Sequence, residues 1–302
     1  MKYLLIYFTG THNTRYLTSL LKRRLELDSN EVDTIEIRCE TEVVSTEIYD
    51  YIGLAYPIYG FNSPLPFNKY LRKLAFTKNQ KYFIYKNSGE VWALNNASSR
   101  VIKRIMKKKK CRFMGEYHFV MPYNIHFRYP DEFISEALSY DKKLIEVMLY
   151  NIDHEIIYYP KSNVFYDIAS IIVSIQKIGG NINSFFYRVD NKKCNRCGLC
   201  IKNCPHKNIS LKNKNIHFSH HCDMCMACSF FCPKDAIKIG FLEKWHVNGE
   251  YKFDQIEKIE REKPYITEET KGFFKCFYRY FNEIDMMYDN IYNILSERGG
   301  KK

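Results

Sequence analysis

A duplicated cysteine pattern constrains this chain more than any other feature of its sequence. The pattern C-x-x-C-x-x-C-x-x-x-C-P occurs twice, and the second copy begins 28 residues after the first. The copies are Cys194, Cys197, Cys200, Cys204 and Pro205, then Cys222, Cys225, Cys228, Cys232 and Pro233. The apolar pair Ile209 and Leu211 recurs as Ile237 and Ile239 at the same offset, so the segment is an internal duplication.

This spacing is typical of cysteines that bind 4Fe-4S clusters. Three thiolates at intervals of three residues wrap one face of a cube, whereas the fourth cysteine lies too far along the chain to close the same cube. In the bacterial two-cluster arrangement the fourth cysteine binds the other cluster. We therefore predict two clusters with crossed ligands, one held by Cys194, Cys197, Cys200 and Cys232 and the other by Cys222, Cys225, Cys228 and Cys204.

Zinc and disulfide bonds are the alternative interpretations of these cysteines. Structural zinc prefers C-x-x-C pairs with a longer spacer, which would leave the third cysteine of each copy unexplained. Disulfides suit small secreted chains, whereas residues 1–8 lack the charged start and the cleavage site of a signal peptide. We therefore expect a protein of the reducing cytoplasm, with buried thiols at Cys39, Cys111 and Cys276.

Length and charge indicate a second domain and a partner. The 302 residues are too many for a cluster domain alone. Lys and Arg exceed Asp and Glu by 46 to 34, and residues 188–240 hold ten basic against three acidic side chains. This charge would suit an acidic redox protein, although ordinary solvated lysines explain the same count.

The run Lys107-Lys108-Lys109-Lys110 is interpreted as a solvated helix end, and no recognition motif supports binding of nucleic acid.

We predict no membrane span. The most membrane-like stretch, residues 164–178, contains Asp167 and Gln176. It is also shorter than the roughly 20 residues that a span requires. We interpret it as a buried or partner-facing helix.

The first half of the chain alternates strand and helix patterns. An apolar run at residues 2–8 is followed by a turn and by leucines at helical spacing over residues 17–25. Further strands are predicted at residues 33–37, 51–56, 81–85 and 117–121, and helices at 66–74, 97–106 and 134–150. This alternation predicts a parallel sheet covered by helices on both faces.

The loop after the first strand is the candidate binding site of this half. Its residues are Thr9, Gly10, Thr11, His12, Asn13 and Thr14. Small hydroxyl and amide residues at the start of a helix direct backbone N–H groups toward an anion, and the helix dipole favours negative charge there. Taken alone, Asn13 or Thr14 could simply cap the helix.

Three segments resemble the flavodoxins. Residues 9–14 resemble the phosphate loop T/S-G-T-G-N-T, and two further loops are similar in position to the flavin loops, with Tyr56, Pro57 and Tyr59 in one and Asn87, Ser88 and Gly89 in the other. With the cysteine repeat, residues 1–240 resemble the fused flavodoxin–ferredoxin proteins of anaerobic bacteria, the EFR-type ferredoxin family. Residues 115–124 also resemble that family's segment after the fifth strand.

This resemblance implies a fold and a cofactor. The fold is an α/β, flavodoxin-like, doubly wound parallel sheet of five strands in the order 2-1-3-4-5, followed by a small α+β ferredoxin domain with two 4Fe-4S clusters. The phosphate of FMN would contact Thr9, Thr11, Asn13 and Thr14. The isoalloxazine would stack on Tyr59, and its polar edge would meet the backbone of Ser88 and Gly89.

One residue departs from the flavodoxin pattern. The usual glycine is replaced by His12, whose side chain takes up room and disfavours positive φ. Either the imidazole contacts the phosphate, or FMN binding is weakened or lost.

We predict four segments and an electron-transfer function. The segments are a flavodoxin-like domain at 1–160, a helical connector at 161–185, the cluster domain at 186–241, and a C-terminal extension at 242–302 that packs on one of the domains. Single electrons would pass between the two clusters and FMN, with no acid, base or nucleophile required. The alternatives are an FMN-dependent reductase supplied by the clusters and an iron-sulfur redox sensor with an empty flavodoxin-like domain.

Overall fold

Five parallel strands form the central sheet of the computed structural model, which describes residues 1–173 and 176–299. The strands are β1 (Lys2–Tyr7), β2 (Glu31–Glu36), β3 (Tyr51–Ala55), β4 (Lys81–Ser88) and β5 (Arg112–Val120). Their order is β2-β1-β3-β4-β5, and each neighbouring pair is parallel. The predicted flavodoxin-like fold and its strand order are therefore confirmed.

Helices cover both faces of this sheet. They are α1 (Asn13–Leu27), α2 (Leu65–Lys73), α3 (Arg100–Lys108) and α4 (Asp131–Asp153), with a 3-10 turn at Ala93–Ser99 before α3. Successive side chains of a strand point to opposite faces. Leu5 accordingly packs with α1 and α4, whereas Leu4 and Ile6 pack with α2 and α3.

The fifth strand begins at Arg112 rather than at the predicted position 117. The sequence at this point contains Gly115 and a charged residue, Glu116, both of which argue against a strand interior. The register of β4 against β5 shifts beside Gly115, whose φ is +149°. An ion pair from the neighbouring strand compensates the buried charge, because Lys86 Nζ lies 2.5 Å from Glu116 Oε1.

The connector and the cluster domain are built from short elements. The helices are α5 (Val164–Val173), α6 (Gln176–Ser184), α7 (Leu199–Asn203) and α8 (Ala227–Phe230). The strands are β6 (Tyr187–Val189), β7 (Ile209–Lys212), β8 (Asn215–Phe218) and β9 (Ile237–Ile239). The pairing of β6 with β9 and of β7 with β8 is antiparallel, which gives the predicted small α+β domain.

The connector helix is more exposed than predicted. Val164 and Phe165 are 73% and 71% exposed, and Ser170 is the buried residue of α5. The expectation of a buried helix is therefore wrong for α5, and the partner-facing interpretation stays a prediction. Residues 174 and 175 of the predicted segment lie outside the described residues. Among the helices that the structure describes, none combines the length and the apolar character needed to cross a membrane.

The C-terminal extension packs against the flavodoxin-like domain. It contains α9 (Phe253–Ile256) and α10 (Lys275–Gly299), with 3-10 turns at Gly240–Trp245 and Gly272–Phe274. The Phe281 ring stacks on Tyr140 of α4 at 4.1 Å between centroids. Asp285 accepts from Lys143 Nζ at 2.5 Å and from the Tyr140 hydroxyl at 3.0 Å. Burial of Phe277 and Phe281 stabilises this contact by about 1.5–3 kcal/mol each.

Candidate functional site

A cavity of about 610 Å³ lies where the flavodoxin-like domain, the connector and the cluster domain meet. Its floor consists of the loops at the carboxyl ends of the parallel strands, where doubly wound sheets bind ligands. Its volume falls within the roughly 300–1,000 Å³ of small-molecule sites. The predicted residues in its lining are Thr9, Gly10, Thr11, Asn13, Thr14, Pro57, Tyr59, Asn87, Ser88 and Gly89.

Two predicted residues, Tyr56 and His12, lie outside this lining. The Tyr56 ring is fully buried and packs against Phe67 at 5.5 Å between centroids. Its hydroxyl lies 3.4 Å from Ser98 Oγ. Tyr56 is therefore a core residue beneath the loop, because the strand pattern turns its side chain away from the cavity.

The phosphate loop is fixed by side chains from two other loops. Asn124 Nδ2 donates to Thr11 Oγ1 at 2.9 Å, and Asn87 Nδ2 donates to Thr14 Oγ1 at 2.8 Å. Asn13 Nδ2 donates to the Pro122 carbonyl at 2.6 Å. The first N–H groups of α1 have no partners within the helix and carry the positive end of its dipole. The arrangement suits an anion at the start of α1.

His12 adopts the conformation that favours glycine and still leaves the cavity free. Its φ is 71°, in the left-handed region where histidine is one of the enriched non-glycine residues. The imidazole Nδ1 lies 2.8 Å from Glu250 Oε1, and the ring packs against Phe231 at 4.4 Å. The departure from glycine is thus compensated by contacts with the cluster domain and the C-terminal extension.

An aromatic wall completes the cavity, and the sequence analysis missed most of it. The rings are Phe61, Trp92, Tyr123, Phe241 and Trp245, which include both tryptophans of the chain. Gly89 allows the close approach of this wall, because a Cβ at position 89 would lie 2.2 Å from the Tyr123 ring. Apolar walls with an anion site at one end fit a phosphorylated, planar aromatic ligand such as FMN.

Tyr59 lies between the phosphate loop and the cluster domain. A Cβ at Gly10 would lie 2.8 Å from the Tyr59 hydroxyl, and the Tyr59 ring meets Phe8 edge-on at 6.3 Å. The hydroxyl is buried and has no hydrogen-bond partner among the described residues. Burial, followed by the neighbouring thiol of Cys225, raises the pKa of Tyr59 well above its ordinary value. The phenol is therefore neutral.

The eight cysteines of the repeat lie in two groups. Cys194, Cys197, Cys200 and Cys232 line one cavity of about 20 Å³. In the other group, burial and then the nearby thiols of Cys222 and Cys204 raise the pKa of Cys225. The same neighbours contribute at Cys228, after burial and Cys225. The structure thus brings the fourth cysteine of each copy beside the first three of the other copy.

The duplication is also visible in the hydrogen bonds to sulfur. The Asn208 N–H donates to Cys204 Sγ at 3.3 Å, and the Ala236 N–H donates to Cys232 Sγ at 3.2 Å, at equivalent positions of the two copies. Such bonds favour the thiolate form that a metal cluster requires. Within the described ranges, no three His, Cys, Asp or Glu side chains are arranged to hold a single metal ion.

The second cysteine copy is in direct contact with the phosphate loop. A Cβ at Gly10 would lie 2.6 Å from the Cys225 carbonyl oxygen and 2.9 Å from the Cys225 Cβ, so only glycine fits. On the other side of this copy, a Cβ at Gly180 of α6 would lie 2.9 Å from the Cys222 carbonyl oxygen. Gly10 and Gly180 both line the large cavity, which therefore shares a wall with the second cysteine group.

A segment of the C-terminal extension, residues 245–257, ties the two domains together; we refer to it as the strap. Asn248 Nδ2 donates to the carbonyls of Ser229 and Cys232 at 2.7 and 2.9 Å. On the flavodoxin-like side, the Tyr251 hydroxyl donates to the Tyr123 carbonyl at 2.8 Å. The strap thus fixes the cluster domain against the loops that form the cavity.

A buried polar network supports the loop after β4. Lys86 and Glu116 form a fully buried ion pair, and Ser99 Oγ donates to Glu116 at 2.8 Å. The His118 imidazole Nε2 lies 2.7 Å from Ser88 Oγ. Burial, followed by the charge of Lys86, lowers the pKa of His118 to about 3, so the ring is neutral.

The three cysteines outside the repeat are not all buried. Cys39 is exposed, which corrects the prediction of a buried thiol, whereas Cys111 and Cys276 are partly buried. Burial raises the pKa of Cys111 to about 11. The Cys39 N–H donates to the Pro205 carbonyl at 3.0 Å, so this thiol lies beside the cluster domain.

The cysteine repeat matches a known family of iron-sulfur domains. Residues 186–233, which contain all eight cysteines of the repeat, match the family of 4Fe-4S dicluster domains. The chain is 36% identical over 77 residues to the dihydromethanopterin reductase (acceptor) of Methanosarcina mazei, a match that covers 24% of this chain and 32% of the relative. The chain therefore spans about a third of the length of that relative.

Solved flavodoxins are similar to the first half of the chain. The flavodoxin of Streptococcus pneumoniae TIGR4 is 15% identical, with 51% of this chain and 99% of that chain covered and a TM-score of 0.38. The general stress protein 14 of Treponema denticola, solved in complex with FMN, is 14% identical, with 51% and 99% covered and a TM-score of 0.40. Strand order and cysteine repeat together make this chain a fusion of a flavodoxin-like domain with a 4Fe-4S dicluster domain.

Proposed function

We propose that this protein transfers single electrons between two 4Fe-4S clusters and an FMN bound in the large cavity. The contact between Cys225 and Gly10 carries the proposal, because it brings the second cysteine group to the wall of the cavity. Electron transfer over such a contact needs no large movement of the domains. The match of residues 186–233 to 4Fe-4S dicluster domains supports the same class of function.

The proposed ligands follow from the two groups of cysteines. Cys194, Cys197, Cys200 and Cys232 would hold one cluster, and Cys204, Cys222, Cys225 and Cys228 would hold the other. Each cluster supplies one-electron chemistry, and a bound flavin accepts one or two electrons. The chain's own residues provide ligands, burial and N–H donors to sulfur, which together set the potentials of the clusters.

The phosphate loop and the aromatic wall are proposed to hold FMN. The backbone of residues 9–14 and the hydroxyls of Thr9, Thr11 and Thr14 would bind the phosphate, together with Asn13. Backbone groups of Ser88 and Gly89 would meet the polar edge of the ring. His12 would act only on the conformation of the loop, since its imidazole bonds Glu250.

Iron content tests the first part of this proposal. After anaerobic reconstitution, the protein should contain about eight iron atoms per chain, because each of two clusters has four. The visible spectrum should contain the broad absorption of thiolate bound to iron. Zinc in place of iron, at one ion per C-x-x-C pair, would contradict the assignment, as would a colourless protein purified without oxygen.

Tryptophan fluorescence tests flavin binding, because Trp92 and Trp245 both line the cavity. We expect FMN to quench this fluorescence with a stoichiometry of one per chain. Riboflavin, which lacks the phosphate, is the matched control and should bind at least about tenfold more weakly, a difference of ~1.4 kcal/mol. Equal affinity for the two flavins would place the phosphate away from the loop. No quenching would favour the redox sensor with an empty flavodoxin-like domain.

A reductase is the second candidate function. The cavity is lined by Phe241 and Trp245 from beyond the flavin loops, which leaves an aromatic rim for a small planar substrate. The similarity to a dihydromethanopterin reductase (acceptor) favours the same class. Mixing the protein anaerobically with a dihydropterin and an excess of a chemical reductant discriminates the two. Sustained reduction of the dihydropterin supports the reductase, whereas reoxidation of the protein only by redox proteins supports the carrier.

A further inference from the structure

The two cysteine groups differ in their access to solvent. Cys197 is exposed, and so are its neighbours Asn195 and Arg196. Cys225 is buried, because the phosphate loop covers it on one side. A protein that binds from outside can therefore approach the first group closely, whereas the second group is covered by this chain itself.

Exposed basic side chains line the exposed group or lie near it along the chain. Arg196 and Lys234 line the same small cavity as the four cysteines, and both are exposed. Lys202 lies one turn after the exposed Leu199 on α7, and side chains three residues apart share a helix face. Lys192 and Lys193 are exposed at the loop that precedes Cys194. We refer to these five cationic residues as the basic face.

The charges of the basic face are largely unbalanced. Lys193 Nζ lies 4.0 Å from Asp235 Oδ2 with both side chains largely in solvent, so this ion pair is weak. In the part of the chain that the structure describes, no ion pair involves Lys192, Arg196, Lys202 or Lys234. Exposed cations without partners break no ion pair when a partner protein binds. They attract an anionic surface over a distance of about 10 Å at moderate salt.

We infer that the basic face is the docking surface for an acidic electron-transfer protein. The inference rests on the proposed function and specifies its partner. An acidic surface complements the five cations, and Leu199, which is 36% exposed, provides an apolar contact among them. Docking at this position brings a redox protein close to the first cysteine group, which includes the exposed Cys197.

Association kinetics test this inference in the full-length reconstituted protein. The probe is an acidic bacterial two-cluster ferredoxin, and a basic cytochrome c serves as the probe of opposite charge. We expect Arg196→Glu/Lys234→Glu to lower the association rate of the ferredoxin at low salt by about tenfold or more. The rate of the unchanged protein should fall steeply with added salt, and that of the variant should not.

The matched control is Lys107→Glu/Lys108→Glu. These two lysines are exposed at the end of α3 in the flavodoxin-like domain, and the substitutions change the net charge by the same amount. The control should retain the association rate within about twofold, because its charges lie outside the docking surface. If both glutamate pairs slow the ferredoxin equally, the effect is one of net charge and the inference is overturned.

The iron content of each protein separates the two proposals. A parent protein without clusters would contradict the proposed function itself. Normal iron with an association rate that is insensitive to Arg196 and Lys234 would contradict the docking surface alone. Arg196→Gln/Lys234→Gln removes the cations without adding acid and should give an intermediate rate, which covers the case that the glutamate pair loses its cluster. Faster association with cytochrome c, or tighter binding of duplex DNA than of ferredoxin, would also overturn the inference.

Discussion

At the residue scale, His12 combines a left-handed backbone with two stabilising contacts. A φ of 71° costs a non-glycine residue about 1–2 kcal/mol. The hydrogen bond to Glu250 stabilises the folded state by about 1 kcal/mol, and the packing on Phe231 stabilises it further. The histidine is therefore close to neutral for stability, and it orients the phosphate loop against the strap.

Substitution of His12 separates these effects. We expect His12→Gly to change the free energy of unfolding by less than about 1 kcal/mol, because relief of strain offsets the lost contacts. His12→Ala keeps the strain and loses the contacts, so it should destabilise the protein by about 1–2 kcal/mol. Urea unfolding measures both. If His12→Gly bound FMN more than about tenfold tighter, the imidazole would be an obstacle to the phosphate after all.

Substitution of Cys204 tests whether the two clusters have crossed ligands. Cys204→Ala should reduce the iron content from about eight to about four per chain, because one cluster loses a ligand. Cys225→Ala should do the same, and the double variant should lose no more iron than either single variant. Cys39→Ala is the control, since this exposed thiol lies next to Pro205 but outside the repeat. A double variant without any iron would assign the two cysteines to different clusters.

At the element scale, β4 and β5 place charged and polar groups beneath a binding loop. Lys86, Glu116 and His118 are buried side chains of these two strands, and the His118 ring contacts Ser88 at the end of β4. Because burial lowers the pKa of His118 to about 3, the folded protein keeps the ring neutral. The unfolded chain binds a proton near pH 6.5.

Stability should therefore fall as the pH falls from about 6.5 toward 3. His118 alone should lower the free energy of unfolding by about 2 kcal/mol between pH 7 and pH 5, since the unfolded state gains a proton that the folded state excludes. His118→Gln should lack this loss. Urea unfolding at both pH values measures the difference, and His217→Gln, at an exposed histidine of β8, is the control. An identical pH dependence in the parent protein and His118→Gln would contradict the burial of a neutral ring.

The sequence predicted most elements because their patterns are local. The apolar run of β1 and the leucines of α1 follow the periods of strand and helix, and the cysteine spacing repeats within a short segment. The start of β5 was missed because Glu116 is compensated by Lys86 from another strand. Part of the aromatic wall was also missed, because it depends on contacts between distant parts of the chain. Phe241 and Trp245 reach the flavin loops only through the packing of two domains.

At the scale of the whole molecule, contacts between the two domains lead us to expect that they unfold together. The strap bonds both domains, and α10 packs on α4 of the first domain. We expect urea to abolish cluster absorption and far-ultraviolet circular dichroism in one coincident transition. Asn248→Ala removes two bonds to the cluster domain and should destabilise the protein by about 1–3 kcal/mol.

The control for this experiment lies on the surface of the cluster domain. Asn215→Ala removes a contact within an exposed turn and should change stability by less than about 0.5 kcal/mol. Two separate transitions in the unchanged protein would mean that the domains unfold independently and that the strap holds them only loosely.

The contact between Gly10 and Cys225 has a consequence for the ancestry of such a chain. Since no side chain fits at position 10 while Cys225 keeps its place, neither half is free to diverge alone at this point. Recombination that replaced one half by a distant counterpart would need a compatible surface on the other. We therefore expect the two halves to have been inherited together, with paired substitutions across this junction.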